Sequence, residues 1–464
     1  MSITAVMQTP MPNARLVHSI LVGLRDNLPK GYNAEYVSVA IATLNEFEEI
    51  STGMRQSKQT SDLLYIFTNY PPEGLREEDE LQYSLFIKQL FLEKECYGMV
   101  YEDPMASLAL LGGAFQILKK HTDIDNAPFH YVEAGLDFLF HIALALNTMK
   151  EYKFAQHNLI SILDVAAGVE AFKKTYETDD PDYVELRITK RAAPSAWLLA
   201  RIFHDDEDEP RVGAAVGLAD ELYSTLVKSH KLNSIDHVAA LLGYAEVLMM
   251  RDKHRKCIQM VEEAIHRVTT IPKRKITAKG AFLASVAFHK KAELYSVAES
   301  WDDARENFHY AMKWCSVAMD KVPLNTYFQD QHTNYMNELG IVHGVQGNLV
   351  EAQETFRRAI TRSRKLAEQS DQHKSSLVAA LSNMSVLMNR YGNLVVAKRY
   401  VEESLEVVES METDDVTAPF ATGRSELHEA LTMSLNHIQE EMLKQKLAGW
   451  RPLWNSAPSS SDLN

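Results

Sequence analysis

The chain has 464 residues, 46% of them apolar and 24% charged, ordinary proportions for globular protein that allow two or three domains or one extended array. Acids outnumber bases by 63 to 48, a formal charge of −15 that argues against a general grip on phosphate backbones and hence against nucleic acid as a partner. Cys96, Cys257 and Cys315 lie too far apart in sequence for a zinc motif or a disulfide framework, which suits a reducing compartment.

Residues 1–14 read as a loose tail without the apolar core of a signal peptide, and no run along the chain approaches a membrane span. The expected location is cytoplasmic, with the nucleus as the alternative. Apolar periodicity predicts helices over about 15–27, 33–54, 59–68, 78–100 and 104–121, broken at Pro71-Pro72. Together, residues 15–128 read as an N-terminal helical region, a set of drifted repeats or a domain of its own. A clear array follows over 129–410. Two acidic stretches, "KTYETDDPDY" and "HDDEDEP", read as loops between repeats, flanking a helix around "APSAWLLARIF", and "GAAVGLADELYSTLVKSH" after them reads as the second helix of an irregular repeat. Residues 411–448 supply a terminal helix that caps the array, because the last repeat otherwise exposes an apolar face. Residues 449–464 form a polar, disordered tail, except that Trp450 and Trp454 are expected to dock on the array or on a partner.

Five windows of 22 residues align without gaps, beginning at Ile142, Tyr244, Lys291, Leu339 and Met384. Their second residues are Ala143, Ala245, Ala292, Gly340 and Ser385; their fourteenth are Ala155, Cys257, Ala304, Ala352 and Ala397. All ten are small. The eighteenth is apolar every time, as Leu159, Val261, Phe308, Phe356 and Val401. Antiparallel helices joined by a tight turn approach most closely where each offers a small side chain, and a large residue one turn on fills the gap to the next pair. Gly347 and Gly392 supply the left-handed backbone that ends a first helix. Trp301-Asp302-Asp303 starts a second helix with acids favoured by its dipole. No strand pattern occurs, so the predicted fold is all-α.

This pattern resembles the tetratricopeptide repeat (TPR), with Leu339, Gly340, His343, Ala352, Phe356 and Ala359 on the motif's positions in order. His343 replaces an aromatic residue, and the proline after the second helix is missing. From Ala304 to Ala352 is 48 residues and from Ala352 to Ala397 is 45, against 34 in the standard repeat. Such long repeats resemble those of kinesin light chains and of bacterial quorum-sensing regulators. The resemblance implies a right-handed α-solenoid, a superhelix of antiparallel hairpins whose first helices line a concave groove. It also implies a groove lining of Glu246, Met249 and Met250; His289, Lys290 and Glu293; Asn334 and Asn337; and Asn383, Asn389 and Arg390. Asn383 matches the position whose amide holds an extended peptide backbone in kinesin light chain-like repeats. His289 and Ala379 stand where a carboxylate clamp for chaperone tails needs other residues, which disfavours that clamp.

A catalytic set is missing from the reading. Asp205, Asp206 and Asp208, or Asp179, Asp180 and Asp182, superficially fit a magnesium motif, but Pro181 and Pro210 mark loops and no second motif accompanies them. Gly112-Gly113 lacks the lysine of a phosphate loop, histidine pairs at metal spacing are absent, and Cys257 reads as packing. Pro272-Lys273-Arg274-Lys275 reads as an exposed turn before it reads as an import signal. No metal or cofactor is expected. The leading expectation is a non-enzymatic adaptor holding a peptide or helix of another protein. A structural subunit of a large assembly is the alternative, and a metal-dependent helical enzyme the remote one.

Overall fold

The computed structural model describes residues 104–122, 128–170, 181–272, 274–321, 325–369, 373–411 and 420–449, together with Ser84, Leu85, Lys88, Val100 and Lys173. The sequence-predicted helices before residue 78, the Pro71-Pro72 break, Cys96, Asp179, Asp180 and both tails, with Trp450 and Trp454, lie outside these. Every regular element among the described residues is an α-helix.

Helix α1 (Pro104–His121) precedes six antiparallel pairs. These are α2 (Phe129–Thr148) with α3 (Tyr152–Ala167), α4 (Pro181–Asp205) with α5 (Glu209–Lys228), and α6 (Ser234–Met250) with α7 (His254–Thr270). Then come α8 (Ala278–Val297) with α9 (Trp301–Lys321), α10 (Thr326–Val345) with α11 (Leu349–Ala367), and α12 (Lys374–Arg390) with α13 (Leu394–Glu409). A last helix, α14 (Phe420–Gly449), packs on α13 and buries Leu431 and Ile438 at that end of the core.

Each helix packs on its neighbours in sequence, and the first helices of successive pairs also touch one another. The second helices have no comparable contact, so the stack is tighter on the first-helix side and that side forms the inner wall of an α-solenoid. All ten small residues singled out above are buried. Gly340 shows why smallness matters: a Cβ there would lie 2.7 Å from Cε1 of Phe356. In the last pair the Ser385 hydroxyl donates 2.9 Å to the carbonyl of Ala397, joining the two small places directly.

One turn recurs at all six pairs. Its ninth window residue is left-handed, at Lys150, Glu207, Asp252, Glu299, Gly347 and Gly392. The amide of the following residue donates 2.8–2.9 Å to the carbonyl five residues back, closing the first helix as a Schellman-type cap. Glycine is thus used at two of these turns, while four place an acid or lysine in the left-handed region.

This register corrects the reading of "HDDEDEP". It is the turn inside a sixth pair and not a loop between repeats: a window from Leu199 carries Ala200, Val216 and Ala219 on pattern, with Val212 at a small place. Pro181 and Pro210 likewise open helices instead of marking loops, since proline's missing N–H has no partner in a first turn anyway. Asp208 caps α5 by accepting from the Arg211 amide. A second correction concerns α2, which is long and apolar enough by composition to cross a membrane. Here it packs against α1, α3 and α4 with Ala134, Phe138, Ala143 and Ala145 buried, as a core helix does.

Candidate functional site

Residues on the inner wall cannot be consumed by pairing within a hairpin, so their partners come from the neighbouring first helices or from outside. Four consecutive first helices are joined there. Trp197 of α4 donates its indole N–H 2.8 Å to Glu246 of α6. Lys290 of α8 lies 3.7 Å from Glu246 and 3.0 Å from Glu293 on its own helix. His289, beside it, meets Glu338 of α10 through Nε2 at 2.7 Å and faces Glu293 through Nδ1 at 3.9 Å. Its ring stacks on Tyr335 with centroids 4.6 Å apart. Burial works against the Lys290 ammonium, but Glu246 and Glu293 outweigh it and raise its pKa.

The network gathers Glu246, His289, Lys290 and Glu293 from the sequence-based lining and adds Trp197, Tyr335 and Glu338. Glu338 occupies the same repeat place as Lys290, so the register already pointed to it. Trp197 was hidden because its repeat, with Val212 breaking the small-residue pattern, did not enter the alignment. Met249 and Met250 are half-buried against the core. Asn383 and Asn389 are half-buried and Arg390 is exposed. Asn334 is half-buried and leans towards Asp330, with 3.4 Å between Nδ2 and Oδ2. Asn337 is buried, with an Oδ1 that has no hydrogen-bond partner, which places it inside the wall and not on its surface.

Beyond the charged network the wall turns aliphatic. Val297 lies four residues after Glu293 on α8, Ile341 three after Glu338 on α10, and Val345 four after Ile341, so each continues the same helix face. Val386 follows Asn383 by three on α12. These four side chains are 74%, 41%, 40% and 66% exposed. Helices α10 and α12 approach so closely that a Cβ on Gly344 would stand 3.1 Å from Leu387.

Among the described residues, His289, Glu293 and Glu338 offer three possible metal-ligand atoms within 4.8 Å of one another. The two carboxylates flank opposite ring nitrogens and Lys290 holds one of them, an arrangement of ion pairs before it is a chelate. The acidic turn offers less: Asp205, Asp206 and Glu207 are exposed, and the Asp206 carboxylate accepts from Gln156 at 3.3 Å. Arg274 and Lys275 sit in an exposed turn between α7 and α8. Cys257 and Cys315 are buried thiols whose pKa values burial pushes up to about 11 and about 12. Burial likewise lowers the pKa of the half-buried His343.

Fold and inner wall together define an α-solenoid of TPR-like hairpins in a long-repeat form. No protein-family model matches the chain, and no curated protein matches its sequence. Solved structures similar to it include a Podosopora anserina putative kinesin light chain with nearly identical TPR-like repeats, 16% identical over 47% of this chain and 95% of that one, with a TM-score of 0.35. Another is a Rap protein complexed with Competence and Sporulation Factor, 11% identical over 93% and 99% of the two chains, with a TM-score of 0.39. A third is a STAND signal-transduction ATPase with a tetratricopeptide repeat sensor from Pyrococcus horikoshii, 12% identical over 91% and 63%, with a TM-score of 0.43.

Proposed function

We propose that the chain is a non-enzymatic adaptor that holds a peptide or helix of a partner protein along the inner wall. The observation that carries this reading is the four-helix network from Trp197 through Glu246, Lys290 and His289 to Glu338, which lies beside exposed aliphatic side chains on the same helix faces. Side chains held in place by such a network lose little further entropy when a ligand arrives, which favours recognition. Asn383, with an amide that donates and accepts at once, suits contact with a peptide backbone.

A second reading, a subunit of a larger assembly using its outer faces, has its own observation: Phe154, Val350 and Val395 at the starts of second helices are largely exposed. Photo-crosslinkers placed singly at Glu246, Asn383, Phe154 and Val350 in the full chain separate the two. The adaptor reading expects partner crosslinks from Glu246 and Asn383, and Asn383→Ala to weaken capture about tenfold. Crosslinks confined to Phe154 and Val350 would instead establish the assembly reading.

A further inference from the structure

Resting on the groove reading, we infer that the occupant is an amphipathic segment of a partner protein, with a basic side chain against Glu293 and Glu338 and aliphatic or aromatic side chains against Ile341, Val345 and Val386. Two independent features of the wall carry this. The first is charge. Glu246 and Glu293 face Lys290 while Glu338 faces His289, so three carboxylates share one lysine and one imidazole. These groups sit partly shielded from water, where a complementary charge is attracted more strongly than on an open surface. The second is apolar exposure. Four aliphatic side chains on three adjacent first helices, Val297, Ile341, Val345 and Val386, stay wet along one side of the stack, an apolar stretch open to another molecule.

The order of the two features also sets a direction. The carboxylates belong to α6, α8 and α10 and the aliphatic side chains to α8, α10 and α12, with Arg390 exposed four residues beyond Val386. A bound segment therefore runs with its basic residue towards α8 and its apolar residues towards α12. A second copy of this chain fits poorly, because two bodies of formal charge −15 repel one another.

The probe is a displayed library of random 16-residue peptides selected on the full chain, followed by affinity measurement on the enriched sequences. The expected result is enrichment of Lys or Arg within one or two helical turns of aliphatic or aromatic residues. Ile341→Asp and Val386→Asp should each weaken binding at least tenfold, and Glu293→Gln with Glu338→Gln should remove the preference for basic residues. All four positions are half-buried or exposed, and unchanged helicity by circular dichroism checks that each variant folds. Enrichment of acidic peptides, no enrichment, or binding indifferent to both sets of variants overturns the inference. So does competition by a synthetic peptide of residues 450–464, which would make the chain's own tail the occupant, or a dimer in light scattering that Ile341→Asp dissociates. Partner crosslinks from the inner wall without a preference for basic residues sink this inference alone, whereas crosslinks restricted to outer faces sink the groove reading itself.

Discussion

The pairs α2–α5 and the pairs α10–α13 share one turn geometry and differ in the balance of buried charge and close packing that holds them. In the earlier pairs, Asp137 of α2 is buried between Arg191 of α4 and Lys88, and Glu133 pairs with Arg187. Lys190 then reaches Asp236 of α6 at 2.7 Å. In the later pairs close packing, with the Phe356 ring against Gly340 and Ser385 against the backbone of Ala397, stands beside the Arg364–Glu403 ion pair between α11 and α13. A common repeat therefore prescribes where helices cross and leaves open whether ions or close packing fix them there. The two solutions differ in what disturbs them: loss of a charge in one, gain of a methyl group in the other.

The largest expected effect is on the ionic side. Asp137→Ala leaves Arg191 and Lys88 buried without their counter-charge, which typically costs about 3–5 kcal/mol. Urea unfolding followed by circular dichroism should show the earlier pairs melting first, because a repeat array need not unfold as one unit. A single cooperative transition at the unaltered midpoint would contradict the ionic account.

Acid tests both regions at once. Burial first, then Arg191, holds the His141 imidazole down at about 4; burial, then Arg362, holds His332 at about 4 as well. Both folded values lie below the free value of 6.5, so the unfolded chain takes up protons first. The neutral forms contribute fully above pH 6.5 and lose about 3 kcal/mol each as pH falls towards 4. For Asp137, burial alone would raise the pKa, but Arg191 and Lys88 overcome it and bring it to about 2, so its contribution persists until pH drops below about 4. His332→Gln should flatten the loss between pH 6.5 and 4 in the later pairs, where protonation also breaks the Arg362 contact to Nδ1 at 2.9 Å. An unchanged slope in that variant would remove His332 from the account.

On the shape side, Gly340→Ala pushes a methyl group into the Phe356 ring and should cost about 1–3 kcal/mol. Combining it with Phe356→Leu should recover part of that loss in a double-mutant cycle. Strict additivity would show that the two do not meet as described. The smallest effects belong to the shared turn. Gly347→Ala, with open space around its Cβ and a φ of +79°, should cost about 1 kcal/mol through backbone strain alone. Glu207→Gly, at a φ of 56° in the turn between α4 and α5, should stabilise by about the same amount. Equal and opposite shifts in the two melting curves would show that one turn serves both regions.

Much of the array was legible because its demands are local. A small residue where two helices cross and a large one a turn later are requirements of adjacent segments, and they recur at fixed spacing. The helices of the pair α4–α5 are legible, but the pair stays off the alignment because Val212 stands at a small place and Pro194 interrupts the apolar pattern of its first helix. Asn337 shows the opposite error, since a position that lines a groove by family pattern is buried here.

By itself, the sequence determined the helical class and the register of five repeats, because hydrophobic periodicity and side-chain size act within one hairpin. Only the tertiary structure decided which polar side chains meet. Trp197 and Glu246 are 49 residues apart, as are His289 and Glu338. Whether they touch depends on the rotation between stacked pairs, a property of packing that no single segment encodes.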